Sequence, residues 1–375
     1  MKSAKVAPAP TTEVVVKNCT VFKDRNLAER DGSHVFLAET NDLEPKELIA
    51  KCGDGGGSSV DLEFRILDHV RKSQGQKYKK YVVALHNWDA ASHTLLLERG
   101  DIGPGGDLGK LFELKALNEL SHVDRIGLAK QLVEIGKFLS ECGVVWGDMK
   151  PGNFVRFRGF AKDTWKAIDF DSSRRDAGVG AVLNGPQEIP DQFIPGEAMI
   201  TPGFVAPERA AAILATQSIT ADSKQDVFVM GLIVYQIFAN KPFFGPEKKQ
   251  EDNAYLRELA DPSFQADLSA ITDSSVRKIL AEMLARDPGA RYSFKQVLQH
   301  KTWMGHSSIS TSSLATRADV RRVDPHSKVE VLPASRSVGQ HVRYLVQHTK
   351  ETPAPWLCTQ IWTRASKEAS STQAP

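Results

Sequence analysis

One stretch constrains this chain more than any other: Val144-Val145-Trp146-Gly147-Asp148-Met149-Lys150-Pro151-Gly152-Asn153-Phe154-Val155-Arg156-Phe157. It sets an acid, a base and an amide in a loop between apolar runs. Trp165-Lys166-Ala167-Ile168-Asp169-Phe170-Asp171 follows closely. Residues 154–157 and 165–170 read as short strands, with a polar turn over 158–164. Paired as a hairpin, they bring Asn153 and Asp169 to the same end. An amide oxygen beside a carboxylate suits a hard divalent cation such as magnesium. Asp148, upstream in the same loop, would face whatever that metal holds.

The rest of the chain must supply a scaffold for that loop. At 375 residues it has the length for two or three domains or lobes. With 41% hydrophobic and 25% charged residues it is an ordinary globular mixture. A net charge of +2 gives no support for nucleic-acid or membrane-surface binding. Cys19, Cys52, Cys142 and Cys358 form no CxxC pair, so reduced thiols are expected rather than disulfides or a zinc site. The first ten residues lack an apolar secretory core, and the apolar run 227–239 is too short to span a bilayer. The expectation is a soluble intracellular, cytoplasmic protein, of unknown oligomeric state.

In chain order, residues 1–11 read as a disordered lead-in. Strands are expected over 14–16, 34–39, 47–51, 81–85 and 94–97. A Gly-rich connection over 53–59 leads into a helix over 60–71, which carries Leu62, Ile66, Leu67 and Val70 on one side. Residues 12–98 thus form a small sheet with one helix. Gly100-Asp101-Ile102-Gly103-Pro104-Gly105-Gly106 interrupts the pattern, and residues 99–304 turn helical, with helices over 125–142, 226–239, 274–285 and 293–300. The Gly-, Pro- and Asp-containing stretch 171–200 reads as a long mobile loop. Residues 305–375 read as a Ser/Thr-rich linker and a weakly folded basic tail.

A small sheet with one helix, a Gly-rich hinge and a helical part opened by an Asp-x-Lys-x-x-Asn loop resembles the eukaryotic protein kinase domain, Ser/Thr type. The resemblance spans about residues 14–303, and several motifs occur in order. It implies an α+β, bilobal fold: an antiparallel-sheet N-lobe over 12–98 and a larger helical C-lobe over 99–304. It also implies ATP- and Mg2+-dependent phosphoryl transfer to Ser/Thr hydroxyls of a protein substrate. Asp148 would then be the catalytic base and Lys150 would steady the transferred phosphate. Asn153 and Asp169 would hold magnesium. Lys51 and Glu63 would pair to anchor the ATP phosphates. Val35, Ile49 and Leu97 would line the adenine pocket, and the backbone at Glu98 and Gly100 would bond the ring. In Thr201-Pro202-Gly203-Phe204-Val205-Ala206-Pro207-Glu208, Glu208 would pair with Arg291, and Asp226 would accept N–H bonds from the catalytic loop. Thr201, Glu208, Asp226 and Arg291 are structural in that scheme.

The chain departs from the family pattern in four places. The glycine loop, aligned on residues 28–35, keeps only Gly32 nearby. Ile49 stands where the family has Ala, and Asp171 where it has the Gly of Asp-Phe-Gly. Trp146-Gly147-Asp148 stands for His-Arg-Asp, which removes a basic member of the pocket for a loop phosphate. Ser172, Ser173 and Thr201 are candidate regulatory sites. The glycine loop, Ile49 and Asp171 also allow a pseudokinase acting as an interaction module, and Gly147-Asp148 with Asn153 and Ile168-Asp169-Phe170-Asp171 resembles the aminoglycoside/choline type of small-molecule kinase.

Overall fold

The computed structural model describes residues 13–303, apart from 31, 45, 56–58, 104, 159–162, 179–188, 195–199 and 246–253. The expected lead-in over 1–11, the tail over 305–375 and Cys358 lie outside the described residues.

The N-terminal part is one six-stranded antiparallel sheet in the order β1-β2-β3-β4-β6-β5. Its strands are β1 (Glu13–Val16), β2 (Cys19–Arg30), β3 (Ser33–Thr40), β4 (Glu47–Gly53), β5 (Leu85–Asp89) and β6 (Thr94–Glu98). Val35 lies opposite Lys51, Leu37 opposite Ile49, and Ile49 opposite Leu97. Because side chains alternate along a strand, these residues share one face. The other face buries Phe36, Ala38, Leu48, Ala50, Cys52 and Leu96 in a separate cluster with Val16, Cys19 and Val21. Helix α1 (Ser59–Gln74) buries Val60, Leu62, Glu63, Ile66, Leu67 and Val70. Its apolar side chains join Leu95 and Leu97 in the main core.

Two expectations here need correction. Most of β2 is not expected from the sequence, because Lys23-Asp24-Arg25-Asn26 interrupts its apolar pattern. Residues 23–29 are exposed, and two register shifts between Phe22 and Ala28 mark irregular pairing there. The expected strand over 81–85 does not form. Gly75–Lys80 is a 3-10 helix, and the apolar run after it is buried against a different partner. Val83 N–H donates to the Ala167 carbonyl at 2.9 Å, and Ala167 N–H to the Tyr81 carbonyl at 2.9 Å.

The C-terminal part is helical: α2 (Leu108–Glu113), α3 (His122–Glu141), α4 (Pro207–Leu214), α5 (Ser223–Ala239), α6 (Ala254–Ala260), α7 (Ser274–Met283) and α8 (Phe294–Gln299). Ser121, Asp222 and Asp273 cap α3, α5 and α7 with side-chain oxygens, and Ser293 with Gln296 makes a capping box on α8. Helix α5 is buried along most of its length, as its apolar sequence demands. The four expected helices are present, with ends shifted by a few residues. Helices α2, α4 and α6 were not anticipated.

Short strands complete this part. Strand β7 (Val144–Val145) pairs with β10 (Arg174–Arg175), and β11 (Gln192–Phe193) pairs with β12 (Ile219–Thr220). The hairpin of β8 (Phe154–Phe157) and β9 (Thr164–Ala167) sets Phe154 opposite Ala167. The expected strand over 165–170 therefore stops three residues early. Asp169 has φ +66°, which an extended strand cannot hold. The stretch 171–200 is also less loose than expected where it is described. Ser172, Ser173, Arg174 and Asp176 are buried, and strands bound it on both sides.

Cys19, Cys52 and Cys142 are free and buried. Burial pushes the Cys142 thiol up to about 12, which keeps it protonated and unreactive.

Candidate active site

The loop after β7 is held by α5. The Asp226 carboxylate, at the start of that helix, accepts the Trp146 N–H at 2.6 Å and the Gly147 N–H at 3.3 Å. Asp226 is 4% exposed. Burial pushes its carboxyl up to about 7, against the pull of those two amides and of Arg209. Trp146, which is fully buried, donates its indole N–H to the Asp169 carbonyl at 3.1 Å and stacks on Phe170. The loop and the Asp169–Phe170 segment are thus tied together through Trp146.

Asp148 is itself buried. Its Oδ2 accepts from Lys150 Nζ at 2.5 Å and its Oδ1 from the Thr201 hydroxyl at 2.7 Å. Asn153 Nδ2 donates to the Asp148 carbonyl at 2.9 Å. That fixes the amide orientation and points Oδ1 the other way. The Ile168 N–H donates to the Asn153 carbonyl at 3.0 Å, so the ladder of the hairpin runs up to the residue before Asp169. The donor set offered by Asn153 and Asp169 is all oxygen, as magnesium prefers. Among the described residues no group of three or more His, Cys, Asp or Glu is arranged to hold a metal ion. A magnesium ion that is also bound by phosphates needs only one or two protein carboxylates.

Lys51 on β4 meets Glu63 on α1, with Nζ 2.7 Å from Oε2. The same nitrogen lies 2.7 Å from Asp169 Oδ1 and 3.5 Å from Asp171 Oδ2. Burial alone would pull the Lys51 ammonium down, but Asp169, Glu63 and Asp171 hold it well above its usual range. Burial pushes the Glu63 carboxyl up, against Lys51. Glu63 Oε1 also accepts the Phe170 N–H at 3.2 Å. Asp171, read from the sequence only as a replaced glycine, is thus a third carboxylate on this lysine.

The hinge is pinned from below. Asp101 N–H donates to the Arg156 carbonyl at 2.8 Å, and the Arg156 N–H donates to the Gly106 carbonyl at 2.8 Å. The Asp101 carboxylate accepts from Arg156 at 2.7 Å and from Arg158 at 3.2 Å. A Cβ on Gly106 would overlap the Asp101 carbonyl, so glycine is required there. The Glu98 side chain accepts from the Ala84 N–H at 2.7 Å and from Lys166 at 2.5 Å. Gly100 packs on Val155 and Phe157 of β8. Val155, half-buried on β8 two residues after Asn153, thus meets the hinge, a contact not expected from the sequence.

Lower down, Arg291 makes a two-nitrogen pair with Glu208 at 2.9 and 3.0 Å and bonds the carbonyls of Ala285, Lys224 and Arg286. Ser172 and Ser173 are buried, and the Ser173 hydroxyl donates to the Trp146 carbonyl at 2.9 Å. They are poor acceptors for a modifying enzyme, contrary to the expectation from sequence. Arg209 and Phe193 also pack around this loop, and no sequence signal marked either.

The curled sheet with a buried lysine–glutamate pair, joined through a pinned hinge to a helical part, defines a two-lobed kinase. The chain belongs to the protein kinase family: a family model described as protein kinase domain matches residues 60–304. It is similar to calcium/calmodulin-dependent protein kinase type 1 of Caenorhabditis elegans, 24% identical over 92% of this chain and 95% of that protein. The type 1 protein of Caenorhabditis briggsae is 25% identical over 80% of this chain and 76% of that protein. The type 1B protein of Rattus norvegicus is 25% identical over 79% and 75%. Among the described residues no helix is long and apolar enough to cross a membrane.

Proposed function

We propose that this chain transfers a phosphoryl group from ATP to Ser or Thr hydroxyls of a protein substrate. The observation that carries this is the environment of Asp148. Its carboxylate holds the Lys150 ammonium at 2.5 Å on one oxygen and a hydroxyl, that of Thr201, at 2.7 Å on the other. A substrate hydroxyl replacing Thr201 Oγ1 at that oxygen would meet a base already oriented by its loop. Lys150 would neutralise charge on the phosphoryl oxygens as it moves. Lys51, held by Glu63, would bind the inner phosphates, and the face with Val35, Ile49 and Leu97 would cover the adenine. Asp169 and Asn153 would hold magnesium, which supplies charge neutralisation between the phosphates. The relatives named as protein kinases support a protein acceptor.

The test is radiolabel transfer from ATP to a generic Ser/Thr substrate. Wild type labels it; Asp148→Asn and Lys51→Met reduce labelling by about a hundredfold or more. Equal background in all three samples would remove the enzymatic reading.

A second reading, an interaction module without turnover, is favoured by one observation. Asp169 and Asp171 both reach Lys51, so the lysine is already neutralised. A thermal shift with magnesium and millimolar ATP separates the two: a shift supports the enzyme and its absence supports the module.

A further inference from the structure

Gly147 stands where the family has an arginine, and the structure shows why no side chain fits. Its φ is +82°, and a Cβ there would lie 2.5 Å from the Ser172 carbonyl oxygen and 2.8 Å from the Phe193 ring. Phe193 fills the space. It is 3% exposed and packs with Val145, Ala221 and Ile219. The pairing of β11 with β12 sets Phe193 opposite Ile219.

Arg209, from the first turn of α4, lies across the same ring with its guanidinium carbon 3.9 Å from the centroid. It is 4% exposed. Its Nη1 donates to the Gly147 carbonyl. Its Nε and Nη2 are buried without a hydrogen-bond partner. Buried donors left unpaired are costly, and the negative face of an aromatic ring is the group on hand that offsets part of that cost. Arg174 approaches the ring as well, at 5.6 Å. Burial pulls Arg209 down to about 10, with Asp226 and Asp148 opposing, so it stays charged at neutral pH. The consequence for the loop is specific. Asp226 takes the Gly147 N–H and Arg209 takes the Gly147 carbonyl, so the two peptide groups flanking Gly147, one of which leads into Asp148, are each gripped.

We propose that Phe193 and Arg209 form a permanent clamp on Gly147 that seats Asp148 with no phosphate on the 171–200 segment. The charge that the family places beside the catalytic aspartate comes here from α4, and the group facing that charge is a phenyl ring. Both are positioning residues, and the claim rests on the phosphotransfer reading given above.

The test uses the full chain as wild type, Phe193→Leu, Arg209→Met and the double variant. Three measurements are made: kcat and KM for ATP before and after phosphatase treatment, the melting temperature, and hydrogen exchange of catalytic-loop peptides. Phosphatase leaves wild-type kcat unchanged. Each single variant loses about tenfold in kcat, equivalent to about 1.4 kcal/mol of activation free energy, with KM for ATP within about twofold. The double variant loses no more than either single one, because ring and guanidinium act as a unit. Amides of residues 146–149 exchange faster in each variant, and those of β4 do not. Wild-type kcat and exchange in both single variants, additive losses in the double, or loss of wild-type activity on phosphatase treatment would each overturn the clamp. If Phe193→Leu does not fold, Arg209→Met alone decides. If wild type shows no turnover, the phosphotransfer reading falls. The exchange data then decide the clamp: faster loop exchange upholds it and unchanged exchange overturns it.

Discussion

Trp146 and Asp169 are joined through a single hydrogen bond from an indole N–H to a main-chain carbonyl, 3.1 Å long, with Phe154 and Phe170 packed on the indole. Trp146→Phe keeps a ring there but leaves that carbonyl without its donor. The expected loss is about 1–3 kcal/mol. Trp146→His, which keeps a ring N–H, recovers part of it. Urea unfolding with an unchanged m-value measures both. A Trp146→Phe protein as stable as wild type would show that water reaches the carbonyl.

Asp171 sets a carboxylate beside the lysine expected to bind phosphates, 3.5 Å from its ammonium. Removing that charge frees Lys51 and lowers repulsion. Asp171→Gly is expected to reduce KM for ATP by about fivefold or more. Steady-state kinetics at saturating substrate measures it. A raised KM would mean instead that Asp171 helps hold Lys51 in place.

Arg291 is 1% exposed and bonds Glu208 together with three carbonyls. Arg291→Met leaves those acceptors and one carboxylate unpaired, at a cost of about 3–5 kcal/mol. The melting temperature should fall on the order of 10 °C. Arg291→Lys should recover little, since an ammonium cannot span Glu208 and the carbonyls at once. Calorimetry on the three proteins decides; a rescue by lysine would count against this account.

Asp226 makes stability pH-dependent. Its folded pKa, about 7, lies above the value near 3.9 of an unfolded aspartate. The folded chain therefore holds the extra proton between those values. This contribution is full below about pH 4 and is lost as pH rises through 7. The neighbours that tune it are the Trp146 and Gly147 amides, Arg209 and Asp176. Asp226→Asn does not titrate, so the stability of wild type relative to that variant should fall by a few kcal/mol between about pH 4 and pH 8. Unfolding curves across that range test it; a constant or widening difference is the contrary result.

Which residues meet was legible partly from spacing and partly from the family resemblance. The pairing of Lys51 with Glu63, twelve residues apart on a strand and the next helix, came from the kinase resemblance. The hairpin that carries Asn153 and Asp169 follows from two apolar runs around a polar turn. The α+β organisation followed from strand signals before residue 100 and helical periodicity after it. The misses share a cause. Strand 81–85 failed because an apolar run declares burial but not its partner, and here the partner was β9. Most of β2 was overlooked because a strand exposed along half its length needs no alternation. Arg209 and Phe193 escaped because buried arginines are rare and are set by tertiary contacts between remote segments. Asp171 was seen as a backbone change, whereas its effect is electrostatic.

The bond from Trp146 to Asp226 closes a separation of 80 residues, that from Lys51 to Asp169 one of 118, and that from Arg291 to Glu208 one of 83. Each closure costs chain entropy before any contact offsets it. Chains are made from the N-terminus, so the loop over 146–153 leaves the ribosome well before the carboxylate that holds it. A nascent chain that ends short of residue 226 carries Asp148 on an unanchored loop. The order of the chain thus leaves that loop without its anchor until α5 begins, with α6, α7 and α8 still to follow.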